Sequence, residues 1–537
     1  MATYNTGTTA NQTIVGRLNE ANTFLNYGLG ADTLTGGQLT DVFIMHADKD
    51  GVDMIDGGAG RDHVDYSVAG MGLSIWLSDS TNPGVAQFKV ASGGTTGTLW
   101  HQAAQLRSIE DVTGSRFGDV ISGNSSHNKL DGGQGKDELN GRAGNDELIG
   151  GEGDDKLIGG SGDDILNGGA NNDEIYTGTN KNTVDAGTGD DTIILEFDHQ
   201  STTAYRDTIE GGTGNDTIMF SENLVGNYSV QVSLAGGTVS SSYYNGSTTA
   251  IHREANISGI ENVNGTNFDD VFAGNGENNT LRGYDGRDVF EGGGGVDTML
   301  GGNGNDTFVS IIDDQADVIY GDANADTVIY SSGSARSLQV TLGENGGMGT
   351  ATTSRTSTSP NGATSTTITS VEDYLYNVEN ITGTSFADTI TGNSANNELL
   401  GNGGMDTLRG GGGMDVLDGG AGRDVLIGGA QADTFRFWDL GIGVEGDQIL
   451  DFQTGSDKMD FSGIFSNPSA SHTSNTPTPA PEFIGSAAFS GDGSEMRVWM
   501  NSSGQRVVEV DLDGGGLGEL DIQIFVTGQV TFTDFLF

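Results

Sequence analysis

Nine residues separate one aspartate from the next through most of this 537-residue chain, and that period constrains the fold more than any other property. From Gly132 the sequence reads GGQGKDELN, GRAGNDELI, GGEGDDKLI, GGSGDDILN, GGANNDEIY, with Asp always in sixth place and Leu or Ile always in eighth. A fixed short period with one apolar residue per unit is the pattern of a repeat array, in which each unit touches only its neighbours. Glycine supplies 90 residues but proline only 6, so the three-residue period of collagen is excluded.

Aligning the nonads on their sixth and eighth places divides the chain into blocks. The first, about 27–65, carries Asp32, Asp41, Asp53 and Asp62 in sixth place and contains a three-residue slip at Met45-His46-Ala47. The second is unbroken over 114–194, with Asp119, Asn128, Asp137, Asp146, Asp155, Asp164, Asp173, Asn182 and Asp191. Two more nonads at 202–219 add Asp207 and Asp216. The third block, 265–329, has a two-residue slip and carries Asp270, Asn279, Asp288, Asp297, Asp306, Asp317 and Asp326. The fourth, 383–436, carries Asp388, Asn397, Asp406, Asp415, Asp424 and Asp433. A disordered acidic tract has no reason to keep such register.

A longer grammar joins the blocks. Three of them leave through related phrases, DHVDYS (62–67), DTIMFS (216–221) and DTVIYS (326–331), each followed by an alternating stretch: LSIWL, VQVSL or LQVTL. After a Gly/Ser/Thr-rich excursion the chain returns through IEDVTGS (109–115), IENVNGT (260–266) and VENITGT (378–384). The expected organisation is an N-terminal segment with the first block (1–65), an insert (66–113), the second block (114–219) and an insert (220–264). The third block (265–329), an insert (330–382), the fourth block (383–436) and a C-terminal β domain (437–537) follow. Alternation of apolar and polar residues predicts half-buried strands in the inserts, forming hairpins beside the repeat array. The segment 466–482, rich in Pro, Ser and Thr, reads as a linker within the last domain.

The nonad is chemically specific. Its glycine-rich first half can turn sharply and bring several carbonyl oxygens to one point. Its sixth-place Asp adds a carboxylate, and its seventh to ninth residues form a short strand with the eighth side chain inward. Hard oxygen donors converging on a turn suit Ca²⁺, which takes 6–8 oxygens at about 2.3–2.6 Å. Two nonads make one coil, so turns on one edge stack at about 4.7–4.9 Å. An ion between stacked turns is then shared by Asp137 and Asp155, or by Asp146 and Asp164. The expected ligands are the sixth-place aspartates named above, with Asp53 and Asp317 set apart because their nonads are degenerate. Asn128, Asn279 and Asn397 each fall in the second nonad of a block, where weaker or absent ions are expected. Asp48-Lys49-Asp50-Gly51 and Asp511-Leu512-Asp513-Gly514 read equally well as calcium loops or as acidic turns.

These phrases resemble the RTX family of type I secreted proteins, built from G-G-x-G-x-D-x-U-x nonads. The last segment, ending Thr533-Asp534-Phe535-Leu536-Phe537, is similar to the C-terminal domain of serralysin-type proteases. The resemblance implies an all-β fold: a parallel β-roll solenoid of calcium-binding nonapeptides in blocks separated by β-rich inserts, with a C-terminal β cap. It also implies several bound Ca²⁺ ions, an uncleaved C-terminal signal read by type I secretion machinery, and folding outside the cell.

Composition limits the function. Acidic residues number 75 against 23 basic ones, a formal charge of −52 that disfavours nucleic acid and anionic membranes as partners. One apolar side chain per nine ordered residues is too little burial to offset chain entropy, so folding is expected to need the cation. Cysteine is absent, which excludes disulfides and thiolate zinc sites. No run of 18 apolar residues predicts a transmembrane helix. The sequence has no H-E-x-x-H and no G-x-S-x-G, and the GLG at 28–30 lacks a following G-K-[ST]. Trp76, Trp100, Trp438 and Trp499 lie outside the nonads and read as core or cap packing. With nonads starting by about residue 27, the expectation is a non-enzymatic, secreted structural protein that self-associates into a surface layer, filament or matrix. Cell-surface polysaccharide is a further candidate partner. The alternatives are a monomeric calcium-dependent adhesin or binding protein, and a carbohydrate-active epimerase or lyase working along the solenoid.

Overall fold

The computed structural model describes residues 2–5, 11–26, 30–46, 51–79, 83–91, 98–196, 206–221, 228–244, 249–331, 336–358, 365–438, 445–463, 481–489, 495–511 and 522–537. The two acidic loops at 48–51 and 511–514, the GLG and the linker at 466–482 lie wholly or largely outside these residues. The chain divides into two compact units, Met1–Gly265 and Thr266–Phe537.

Each unit is a parallel β-roll. Within the first, Lys129–Gln134, Glu147–Glu152, Ile165–Ala170 and Thr183–Thr188 are consecutive rungs of one sheet, and Glu138–Ala143 and Lys156–Ser161 are rungs of the other. Rungs pair in parallel at an offset of one coil: Leu130 opposite Leu148, Leu139 opposite Leu157 and Leu148 opposite Leu166. The strands are longer than three residues. Each runs from seventh place through the Gly-Gly of the next nonad, because a stacked rung accepts and donates ladder bonds there as well, Gly133 pairing with Gly151.

Slips in the nine-residue period are absorbed without breaking the ladder. Thr33 pairs with Met54, across the three-residue slip, and Thr298 with Val318, across the two-residue one. The excursion before 206 is passed in the same way, Thr192 pairing with Thr217. Backbone hydrogen bonding thus follows the aspartate grid rather than residue count.

The inserts stand within a sheet and not beside it. In the first, Leu73–Trp76, Gly84–Ala91 and Thr98–Arg107 form an antiparallel meander. Its last strand pairs in parallel with Asp53–Asp56 and its first with Val120–Ser122. The third insert repeats this: Leu338–Thr341, Met348–Thr358 and Ser365–Tyr376 are antiparallel, bounded in parallel by Asp317–Ala323 and Thr389–Thr391. The outer strands of a three-stranded meander run in the same direction, so both match a parallel sheet and no unpaired edge is left inside it.

The roll also extends beyond the expected blocks. Asn22–Asn26 pairs with Val42–Met45 ahead of the first nonads. In the C-terminal region Gln448 and Ile449 pair with Val425 and Leu426, and Lys458–Asp460 with Thr434–Arg436. Only then does an antiparallel sheet of Glu495–Met500, Arg506–Asp511 and Ile522–Val526 begin. The tail strand Phe535–Leu536 pairs in parallel with Lys458–Asp460. No helix among the described residues is long and apolar enough to cross a membrane.

The core is a single file. Leu130, Leu139, Leu148, Leu157, Leu166 and Ile175 are fully buried. Aromatic residues take the same places elsewhere, Phe290 lying 5.2 Å from Phe272 and stacking at 4.9 Å on Phe308. Trp438 departs from the packing expectation: it is 45% exposed, with the Arg436 guanidinium over its ring at 4.1 Å. Because each coil contributes so few apolar groups, truncating one is costly. Phe290→Ala should cost about 3–5 kcal/mol in denaturant unfolding of the calcium-loaded protein. Ile165→Ala, at a half-exposed seventh place, should change it by under about 0.5 kcal/mol.

Candidate metal sites at the turns

The sixth-place residues line the two edges of the roll and are buried, Asp137, Asp146 and Asp164 at 1% exposure. One carboxylate oxygen of each is used by the backbone. The N–H of Asp119 donates to Asp137 Oδ1 at 2.6 Å, that of Asp137 to Asp155 at 2.7 Å, and that of Asp146 to Asp164 at 2.8 Å. The same bond links Asp288 to Asp306, Asp306 to Asp326 and Asp406 to Asp424. Asp53 and Asp317, from degenerate nonads, join the ladder too, accepting from Asp32 and Asp297 at 2.8 Å. The period of the sequence is therefore the period of a side-chain-to-backbone ladder.

The second oxygen divides the residues into two sets. For every expected ligand except Asp41, Asp119, Asp207, Asp270 and Asp388, Oδ2 is buried without a hydrogen-bond partner. In those of these nonads that begin with glycine, the oxygen faces that glycine. A Cβ on Gly150 would lie 2.5 Å from Asp155 Oδ2 and 2.5 Å from the carbonyl oxygen of Gly168 in the next coil. Carboxylate and carbonyl thus converge beside the first-place residue, which is glycine at most of these turns and alanine, Ala186, in the nonad of Asp191. Second place is left-handed, φ being +102° at Gly133 and +112° at Gly151. Even Arg142, Tyr284, Asp322 and Asn402 adopt that conformation there, a strained one for residues with a Cβ.

The exceptions have substitutes. At the start of three blocks second place is Ser or Thr with an ordinary φ, and its N–H turns onto the carboxylate: Ser115 to Asp119 Oδ2 at 2.5 Å, Thr266 to Asp270 Oδ2 at 2.6 Å and Thr384 to Asp388 Oδ2 at 2.6 Å. The hydroxyls of Thr266 and Thr384 add bonds of 2.9–3.1 Å. Gly37 donates to Asp41 at 2.6 Å, and the side chain of Asn182 hydrogen-bonds Asp207. One nonad later the sixth place is Asn, whose Oδ1 accepts from second-place Asn: Asn124 to Asn128, Asn275 to Asn279 and Asn393 to Asn397, at 2.8–2.9 Å. The amides of Asn128 and Asn397 donate to the carbonyls of Glu110 and Glu379, 2.8 and 2.7 Å away. Those glutamates stand in for aspartate where the ladder crosses an insert, accepting from the N–H of Asp62 at 2.8 Å and of Asp326 at 3.0 Å. Glu261 does the same for Asp216 at 2.8 Å.

Two features escape an alignment of nonads. Asp447 and Asp457 continue the ladder, accepting from Asp424 at 2.8 Å and Asp433 at 3.1 Å. Their D-Q-I and D-K-M phrases carried the Asp-x-apolar signal without the glycines. Fifth-place residues build a second, exposed ladder: Asn145 accepts from Asp163 and Asn172 from Asp190, both at 3.0 Å. Its sign in the sequence is the Asn or Asp that precedes many sixth-place aspartates.

The donor set fits a hard cation. Among the described residues no three His, Cys, Asp or Glu side chains form a metal-holding group. A cation here would therefore be held by one or two carboxylates plus backbone carbonyls, an all-oxygen shell that suits Ca²⁺. Without one, burial pushes the carboxyls up: Asp137, Asp288, Asp326 and Asp406 to about 8, Asp146, Asp173 and Asp415 to about 7, and Asp164 and Asp297 to about 6.

Raised folded-state values mean that the metal-free roll binds protons more tightly than the unfolded chain. Its stability is greatest below the ordinary carboxyl value of 3.8 and falls as pH rises through the 6–8 range of the folded state. Metal-stripped protein should accordingly gain β signal in circular dichroism on acidification from about pH 7.5 towards 4.5, whereas calcium-loaded protein should not. The cradle geometry gives a second expectation. Gly150→Ala should destabilise the calcium-loaded protein by about 1–3 kcal/mol through the clash with Asp155 and Gly168. Gly276→Ala, with nothing within 4 Å, is the control in the same denaturant titration.

The family model for the RTX calcium-binding nonapeptide repeat (4 copies) matches residues 49–66, 113–148, 141–175, 149–182, 176–197, 201–220, 258–283, 264–299, 273–308, 313–334, 378–408 and 400–435. No curated protein matches the chain. Among solved structures, the AlgE6R3 subunit of the Azotobacter vinelandii mannuronan C5-epimerase is 29% identical, covering 29% of this chain and 80% of its own, with a TM-score of 0.22. The AlgE6R2 subunit of the same enzyme is 29% identical, covering 30% of this chain and 92% of its own, with a TM-score of 0.22. The extracellular lipase LipA from Serratia marcescens is 19% identical, covering 51% of this chain and 39% of its own, with a TM-score of 0.19. The repeat matches and the parallel roll agree: RTX calcium-binding nonapeptide repeats run across this chain.

Proposed function

We propose that the protein is a secreted structural RTX protein that coils when it meets calcium outside the cell and then associates with itself. The observation that carries this reading is the buried Oδ2, left without a donor in nonad after nonad and facing a carbonyl from the next coil. An ionised carboxylate gains nothing by being placed there, so in its charged form the site is favourable only with a cation. In this reading the ligands are those aspartates, and calcium shared between coils closes both edges of each roll. The unfolded, strongly acidic chain is the form that passes type I secretion machinery. Millimolar calcium then supplies the free energy that a one-file core does not.

Self-association draws support from the surface. The exposed fifth-place ladder presents regularly spaced oxygens, and Asp154, Asp163 and Asp190 in it are acidic and accept one backbone hydrogen bond each. Two such edges repel each other in chelator and can be bridged by calcium, the chemistry of a surface layer, filament or matrix. Cell-surface polysaccharide is the other partner in this reading. Light scattering on the full chain tests it. Calcium should produce large particles that disperse on chelation, and a protein that stays monomeric while its β signal rises would retain calcium folding and exclude assembly.

A further inference from the structure

The three coils that follow the inserts combine an N–H donor on one edge, a feature shared by the Gly37–Asp41 and Gln453–Asp457 turns, with asparagine on the other, and resting on the calcium-folding reading above, we infer that they are cation-free seams. They are the first coils after the inserts, one turn opened by Ser115, Thr266 or Thr384 and the other by Asn124, Asn275 or Asn393. In an ordinary nonad the left-handed second residue leaves the sixth-place Oδ2 without a donor, and a cation is needed there. In a seam the second residue has an ordinary φ and its N–H donates to the sixth-place Oδ2, although the first-place glycine and the next coil's carbonyl stand beside that oxygen as in an ordinary turn. The donor sits 2.5–2.6 Å from Asp119, Asp270 and Asp388 Oδ2, so its positive end faces the point where a second positive charge would have to enter.

The other carboxylate oxygen is taken as well. Leu73, the first residue of the preceding insert's meander, donates to Asp119 Oδ1 at 2.5 Å, and Leu338 donates to Asp388 Oδ1 at 2.7 Å. On the opposite edge asparagine replaces aspartate, which removes the charge altogether. Both edges of the seam coil are thereby satisfied by hydrogen bonds alone. The motif is legible as G-[ST]-x-F-x-D followed by G-N-x₃-N, present at 114–128 and 383–397 and, with Asp in fifth place, at 265–279.

The consequence is a division of labour along each roll. Seams join an insert to its block without metal and offer a formed coil on which the first calcium-requiring coil can stack. The ordinary coils then add by nearest-neighbour propagation, as in other linear arrays. Asp119, Asp270 and Asp388, expected from the sequence to ligate calcium, are on this inference positioning residues for the chain's return to the roll.

Hydrogen exchange and ion counting on the full chain test this. In metal-stripped protein, amides in 113–128, 264–279 and 382–397 should exchange at least about tenfold more slowly than those in 137–173, and calcium should slow the latter. Bound calcium, counted by elemental analysis after desalting, should be unchanged in Asp388→Asn and reduced in Asp406→Asn. A lower ion count in Asp388→Asn, or equally fast exchange in seams and ordinary coils without metal, would overturn the seams while leaving calcium folding intact. Slow exchange everywhere in stripped protein would instead remove the calcium-folding reading, and the ion count would then judge the seams by itself.

Discussion

The structure depends on where the second oxygen of a buried aspartate finds positive charge. The first oxygen is held by a backbone N–H one coil away, which fixes the stacking of the turn. The second is enclosed by the next coil's carbonyl and by a glycine with no room for a methyl group. An ionised carboxylate in that position is strongly unfavourable until something compensates it. Protons, cations and backbone N–H groups are the three candidates; the first two compete for the same carboxylates, and the third is found at other turns. Burial raises the proton affinity of the carboxyls, the oxygen-only cradle suits Ca²⁺, and the coils that follow inserts use N–H donors.

This single requirement accounts for the composition. Glycine is abundant because first place is crowded by a carboxylate and a carbonyl at most turns and second place is left-handed, with φ above +100° at most of the regular turns from Gly133 to Gly169. Aspartate is abundant because its short side chain reaches a neighbouring coil's N–H without leaving the turn. Glutamate appears where the ladder must reach across an insert, as at Glu110 and Glu379, one methylene longer. The apolar content is low because one inward side chain per nonad fills a core only two sheets wide.

Much of this was legible in the sequence. The nine-residue period identified the roll, the inward Leu or Ile at eighth place and the acidic edges. The return phrases located the inserts, where meanders enter the sheet. Other features were not legible, for physical reasons. The meanders enter the sheet because their outer strands run parallel to the rungs, a matter of direction that alternation does not encode. The roll continues through Asp447 and Asp457 because the sheet already formed accepts any Asp-x-apolar phrase at the right height, glycines or not. Asp119 and Asp137 read alike as letters, yet one has both oxygens bonded and the other has an oxygen without a donor.

The sequence by itself determined the repeat, its handover between carboxylate edge and apolar core, and the hard-oxygen chemistry of the turns, because each is carried by residue types at fixed spacing. Only the tertiary structure decided which carboxylates keep an oxygen without a hydrogen-bond donor and which meet a backbone N–H. That choice depends on the φ of the second residue and on a strand arriving from an insert tens of residues away, as Leu73 arrives at Asp119 and Leu338 at Asp388. Both are set when the coils stack.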